Sequence, residues 1–259
     1  MNLLLFKLFA APLLLLAVSV ACHRWGETIG GLLMSLPLMS GPVSVFLALE
    51  HGTTFAAQAT LGSLIAMVAQ TGFCVVYYKL AVLGEIRALA GATAIFVILA
   101  SLLQWSGLHQ FPLFVLSILT VTVALSLLPK NATRADKIDL PWWDLPLRMV
   151  LVTFFVVGVT LIAPYVGPRA SGLLGSFPVM TAILGFFAHR TVSPASAQQI
   201  MRGIIVGLLS CSTFFYVLSL TLTRLGLFTA YTSATLCLLA IQAILLLYQI
   251  RITRFAGQT

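Results

Sequence analysis

Apolar residues in this chain come in runs of about twenty, separated by short polar or Gly/Pro-containing stretches, and the runs predict nine helices. They cover 3–22, 28–49, 55–78, 86–105, 111–128, 147–166, 170–188, 195–220 and 227–250. At 1.5 Å per residue, a run of about twenty residues crosses a hydrocarbon core ~30 Å thick. The first run also has the look of a leader ending in a lipoprotein-like cysteine at Cys22. Ser19-Val20-Ala21 is a poor approach to such a cysteine, and the segment has a counterpart later in the chain, so it is read as the first span.

That counterpart belongs to a repeat. Shifted by 141 positions without gaps, Gly31-Leu32-Leu33-Met34-Ser35-Leu36-Pro37 falls on Gly172-Leu173-Leu174-Gly175-Ser176-Phe177-Pro178. Lys7 falls on Arg148, Gly26 on Gly167, Met39 on Met180, Gln58 on Gln199 and Gly62 on Gly203. Shared apolar composition accounts for matched leucines but not for matched Gly, Pro and Gln. Two units follow, 1–108 and 147–259, joined by a linking span and loop at 109–146. The first and sixth spans are an odd number of crossings apart, so equivalent helices enter from opposite faces. The fold class expected is all-α: a polytopic transmembrane bundle of about nine spans, with inverted four-helix repeats joined by one extra helix.

Charge sets the orientation. Eleven basic residues (Arg24, Lys79, Arg87, Lys130, Arg134, Lys137, Arg148, Arg190, Arg202, Arg251 and Arg254) fall on one side, and three, Lys7, Arg169 and Arg224, on the other. The positive side is expected to be cytoplasmic, which puts the N-terminus outside and the C-terminus inside. The longest polar stretch, 130–146, carries Trp142 and Trp143, as befits a headgroup-level loop. With 60% hydrophobic and 8% charged residues and a mean hydropathy of +1.09, the chain is too apolar for a soluble domain. The net charge of +8 sits in loops flanking the runs, so it argues topology, not nucleic-acid binding. Cys22, Cys74, Cys211 and Cys237 lie inside apolar runs without metal or redox spacing and read as packing residues.

The second and seventh runs both place a proline near their middle. Proline there removes a backbone hydrogen bond, and the freed carbonyls survive only against protein or a wet cavity. One reading is a substrate site at the pseudo-twofold axis, lined by Gly31, Ser35, Pro37 and Ser40 with Gly172, Ser176, Pro178 and Thr181. Half-helix N-termini at such a site favour an anionic group. The other reading is a pair of proline kinks with small residues that let helices pack closely.

All six acids (Glu27, Glu50, Glu85, Asp136, Asp139 and Asp144) lie in loops or at run ends. No buried coupling carboxylate, HExxH helix, GxSxG elbow or His/Cys cluster is present, so no catalytic residue, metal or cofactor is expected, and not an enzyme. Glu50 and His51 close the second run and His189 the seventh; they are candidates for gating or proton relay, or simply mark where a helix leaves the lipid. Arg202, about a turn inside the eighth run, either snorkels to headgroups or reaches inward as a counter-ion for an anionic substrate.

Gly172-Leu173-Leu174, Phe177-Pro178, His189, Arg202 and Phe214-Phe215-Tyr216 resemble the small four-helix inner-membrane proteins of the GlpM-like group. The similarity covers about 147–248; the first half has Leu36 and Leu61 where the aromatic and the Arg stand, and no matching His. The resemblance implies a bacterial inner-membrane location and a fused, double-length version of the four-helix unit. It brings only a loose association with exopolysaccharide production. Two functions are expected: a secondary transporter or facilitator of an anionic or amphipathic solute, or a non-catalytic scaffold or accessory subunit in envelope or exopolysaccharide assembly. The expected partners are the lipid bilayer and a small-molecule or lipid-linked substrate, not nucleic acid, with a homodimer left open.

Overall fold

The structure, a computed structural model, describes Pro37, residues 40–129 and residues 144–256. The first span, Gly31 and Ser35 lie outside the described residues. Among the described residues there are eight α-helices and no strand. They are α1 (Ser40–His51), α2 (Thr53–Leu80), α3 (Glu85–Trp105), α4 (Gln110–Leu127), α5 (Asp144–Gly175), α6 (Val179–Thr191), α7 (Pro194–Thr221) and α8 (Leu227–Ala256), with a 3₁₀ turn at Ala81–Leu83 after α2. Among the described residues six stretches are long and apolar enough to cross a membrane: the four helices α2, α3, α4 and α7, most of α8, and a 43-residue segment through α5 and α6. The architecture is that of an integral membrane protein.

Local chemistry sets the helix ends. Before α7, the Ser193 hydroxyl accepts from the Ser196 amide at 3.1 Å and Pro194 opens the first turn, where its missing N–H costs nothing. Within α5, Gly167 has φ 78° ahead of Pro168. A proline disfavours helical geometry in the residue before it, and glycine takes positive φ without a Cβ clash, so the helix bends there. The sequence predicts a connection between the sixth and seventh runs; the structure passes directly through this bend instead. The interruption of the seventh run comes later, at Ser176–Pro178, between α5 and α6.

α2 is the hub. Of its apolar window 72% is buried, against 50% for α7 and 22% each for α3, α4 and α8. It packs on α1, α3, α4, α5 and α7, with Phe73, Tyr77, Leu64 and Ile65 fully buried. The outer helices turn many small residues inward and most of their large exposed ones outward. On α3, Ala88, Ala92, Phe96 and Ala100 face the core while Ile86, Val97, Ile98 and Leu102 are exposed. On α4, Phe111, Val115, Leu119, Val123 and Leu127 form an exposed stripe. Lipid tails accept those large chains, so close packing selects the small ones.

The tightest approach is between α2 and the second part of α5. A methyl group on Gly62 would overlap the Arg169 carbonyl oxygen, and one on Gly172 would overlap the carbonyl oxygen of Ala59. Ser63 Oγ donates to the Gly172 carbonyl at 3.3 Å across this contact. In both Gly62→Ala and Gly172→Ala the opposing atom is backbone, which cannot swing aside. Each is expected to lower stability in detergent by about 1–3 kcal/mol. Gly158→Ala, where a Cβ meets nothing within 4 Å, should leave the thermal unfolding midpoint at or above that of the parent.

Candidate functional site

α5 ends at Gly175, and the amide of Ser176 is shared between the carbonyls of Gly172 and Leu173 at 3.2 Å each. Phe177 then packs edge-on to Phe96 of α3 at 5.1 Å, and Pro178, with ψ 45°, sets α6 off in a new run. α1 lies against this end of α5: a methyl on Gly175 would meet Val43 Cγ1 at 2.6 Å. Between α1, α2 and α5 remains a crevice lined by Ser40, Ser44, Ser63 and Ser176 with Val43, Leu47, Ala59, Gly172 and Gly175. It is narrow, and no position in it accommodates a whole water molecule.

The four hydroxyls differ in what they have left to offer. Ser44 Oγ shares a hydrogen bond of 2.8 Å with Tyr231 Oη of α8. Ser63 Oγ has given its proton to Gly172. Ser176 Oγ is buried and has no partner among the described residues. Elsewhere in the helices many hydroxyls turn back to carbonyls of the preceding turn, as Thr160 to Val156, Ser171 to Gly167, Thr213 to Leu209 and Thr221 to Val217, while Ser212 within α7 is, like Ser176, buried without a partner among the described residues. Ser176 sits just past a helix end, where the nearest carbonyls already hold its own amide.

The structure thus brings Ser40, Gly172 and Ser176 of the expected site together, and adds Ser44 and Ser63. Pro37 lies one turn before α1 and accepts from the Gly41 amide at 2.7 Å. Pro178 is buried at the start of α6. Thr181, in the first turn of α6, does not line the crevice; its hydroxyl accepts from Gln70 Nε2 of α2 at 2.9 Å. Arg202 Nη1 donates to the Leu128 carbonyl at 3.1 Å, just past the end of α4, where a cation meets the unsatisfied carbonyls of a helix C-terminus. Ser44, Ser63 and Gln70 were missed by sequence reasoning. The four-residue spacing of Ser40 and Ser44 on one helix face, and the position of Ser63 beside Gly62, are signals that could have found the first two.

The titratable candidates stand apart from the crevice. Glu50 is exposed, and His51 stacks at a tilt on Phe55, with ring centroids 4.8 Å apart. His189 is buried edge-on against Tyr77 at 6.3 Å, and both His189 Nδ1 and the Tyr77 hydroxyl lack partners among the described residues. Among the described residues no three His, Cys, Asp or Glu side chains gather in a way that would hold a metal ion. Comparison with protein-family models, curated proteins and solved structures finds no match.

A buried hydroxyl without a partner forfeits its solvation, and a buried amide without an acceptor does the same. Tyr77→Phe removes such a hydroxyl at nearly constant shape and is expected to leave thermal stability in detergent unchanged or raised by about 1 kcal/mol. Thr181→Val removes the acceptor of Gln70 and is expected to lower it by about 1 kcal/mol or more.

Proposed function

We propose that this protein is a small inner-membrane transporter or facilitator whose solute passes at the interruption between α5 and α6. The observation that carries the reading is the break at Ser176–Pro178 inside a 43-residue apolar run, with hydroxyls of α1, α2 and α5 gathered beside it. Broken backbone at membrane depth is tolerated where it lines protein or a cavity, and interrupted helices are a recurring way to build transporter sites.

The proposal includes the repeat. α2 (Thr53–Leu80) and α7 (Pro194–Thr221) begin and end 141 residues apart, the same offset that aligns the two halves in sequence. α1 and α2 pack together as α6 and α7 do, and α2 and α3 as α7 and α8 do. Two inverted four-helix units about an extra crossing, with the N-terminus periplasmic and the C-terminus cytoplasmic, is the arrangement we infer. The resemblance to the GlpM-like group, resting on Gly172, Phe177-Pro178, His189 and Arg202, belongs to the same proposal. One observation favours the second reading, a scaffold or accessory subunit in envelope assembly: the crevice is too tight for a water molecule, as in a packed interface.

Reporter fusions after Thr259 and within 130–144 are both expected to read cytoplasmic; a periplasmic signal from either ends the inverted arrangement. Cysteines placed singly at 40 and 176, in a chain lacking the four native cysteines, are expected to react with small water-soluble thiol reagents in membranes, unlike one at lipid-facing Val115. If neither reacts, the break is a packing kink and the accessory reading takes its place.

A further inference from the structure

Resting on the reading of the crevice as the solute's path, we infer that the solute is uncharged there, a small hydroxylated or amide-like molecule that both donates and accepts hydrogen bonds. Among the described residues the lining contains four serines and no charged side chain. Arg169, one turn before Gly172, donates from Nη2 to the Leu108 carbonyl at 2.8 Å, its Nε being buried without a partner among the described residues, and the candidate counter-ion Arg202 donates from Nη1 to the carbonyl of Leu128. An anion there finds no charged side chain among the described lining residues to offset its lost hydration.

The hydroxyls sharpen the point. Ser63 has committed its proton to Gly172, so only its lone pairs remain to meet a ligand, and these repel a carboxylate or phosphate but welcome a donor. Ser176 is 6% exposed and unpartnered, and keeps one donor and two acceptor positions unfilled. Ser44 is tied to Tyr231 through one hydrogen bond and retains a further position. The crevice as it stands admits no water, so a ligand enters only when the helices part; one carrying hydroxyl or amide groups then satisfies this mixed set, and an acceptor-only anion does not. The inference departs from the anionic solute that half-helix N-termini alone suggest.

The test uses the full chain in proteoliposomes, with light-scattering kinetics for glycerol and urea and parallel flux measurements for lactate and inorganic phosphate. Glycerol or urea is expected to cross faster than in protein-free vesicles, with the protein-dependent part reduced about tenfold by Ser176→Ala, as for one lost hydrogen bond. Ser63→Ala, which removes a different crevice hydroxyl, should reduce it in the same direction. Protein-dependent anion flux that Ser176→Ala diminishes, without any neutral-solute flux, overturns this inference and leaves the transporter reading standing. Neutral flux indifferent to both substitutions overturns it as well. If no solute of either class moves faster than in protein-free vesicles, the transporter reading falls with it.

Discussion

The backbone contact between α2 and the second part of α5 holds the arrangement together. Gly62 and Gly172 each face a carbonyl of the other helix with no room for a methyl group, and Ser63 bridges the two chains. In a membrane, apolar surface gains little by leaving lipid, so helices associate through dispersion contact and hydrogen bonds. Those forces fall off steeply with distance, and glycine is the residue that shortens it. Once α5 is seated, its end at Gly175 is fixed against Val43 of α1, and the position of Ser176 follows.

Ser176 shows how a helix end changes the chemistry of an ordinary residue. Within a continuous helix a serine hydroxyl can find a carbonyl of the preceding turn and be silenced by it, as Ser219 is by Tyr216. Interrupting the helix removes that option without moving the serine to water. The crevice is therefore polar because of where α5 stops as much as because of which residues line it.

Helix positions were legible in the sequence because they are set locally. The run at 195–220 becomes Pro194–Thr221 and that at 86–105 becomes Glu85–Trp105, with Ser193, Pro194 and Gly84 marking the starts. Pro178 likewise announced the break beside it. What sequence did not give is which side of each helix meets which neighbour. A helix apolar all round has no stripe to read, so partners are chosen by small residues and stray hydroxyls whose complement lies far along the chain. Thr181 was expected beside Ser40, yet Gln70 holds its hydroxyl. Arg202 was a candidate counter-ion, yet the open carbonyls beyond α4 hold it. Neither partner is near in sequence, and neither contact follows a period.

The order of synthesis gives the α2–α5 contact a temporal side. Ser63 and Gly172 are 109 residues apart, so α2 emerges from the ribosome long before the segment that fills its groove. During that interval the small-residue face formed by Ala59, Gly62 and Ser63 is without this neighbour. A nascent α2 is in effect an adhesive surface waiting for one late-arriving helix, and any other membrane segment with a glycine stripe competes for it. Biogenesis of the bundle thus hinges on how soon α5 is delivered, a kinetic demand imposed by two glycines.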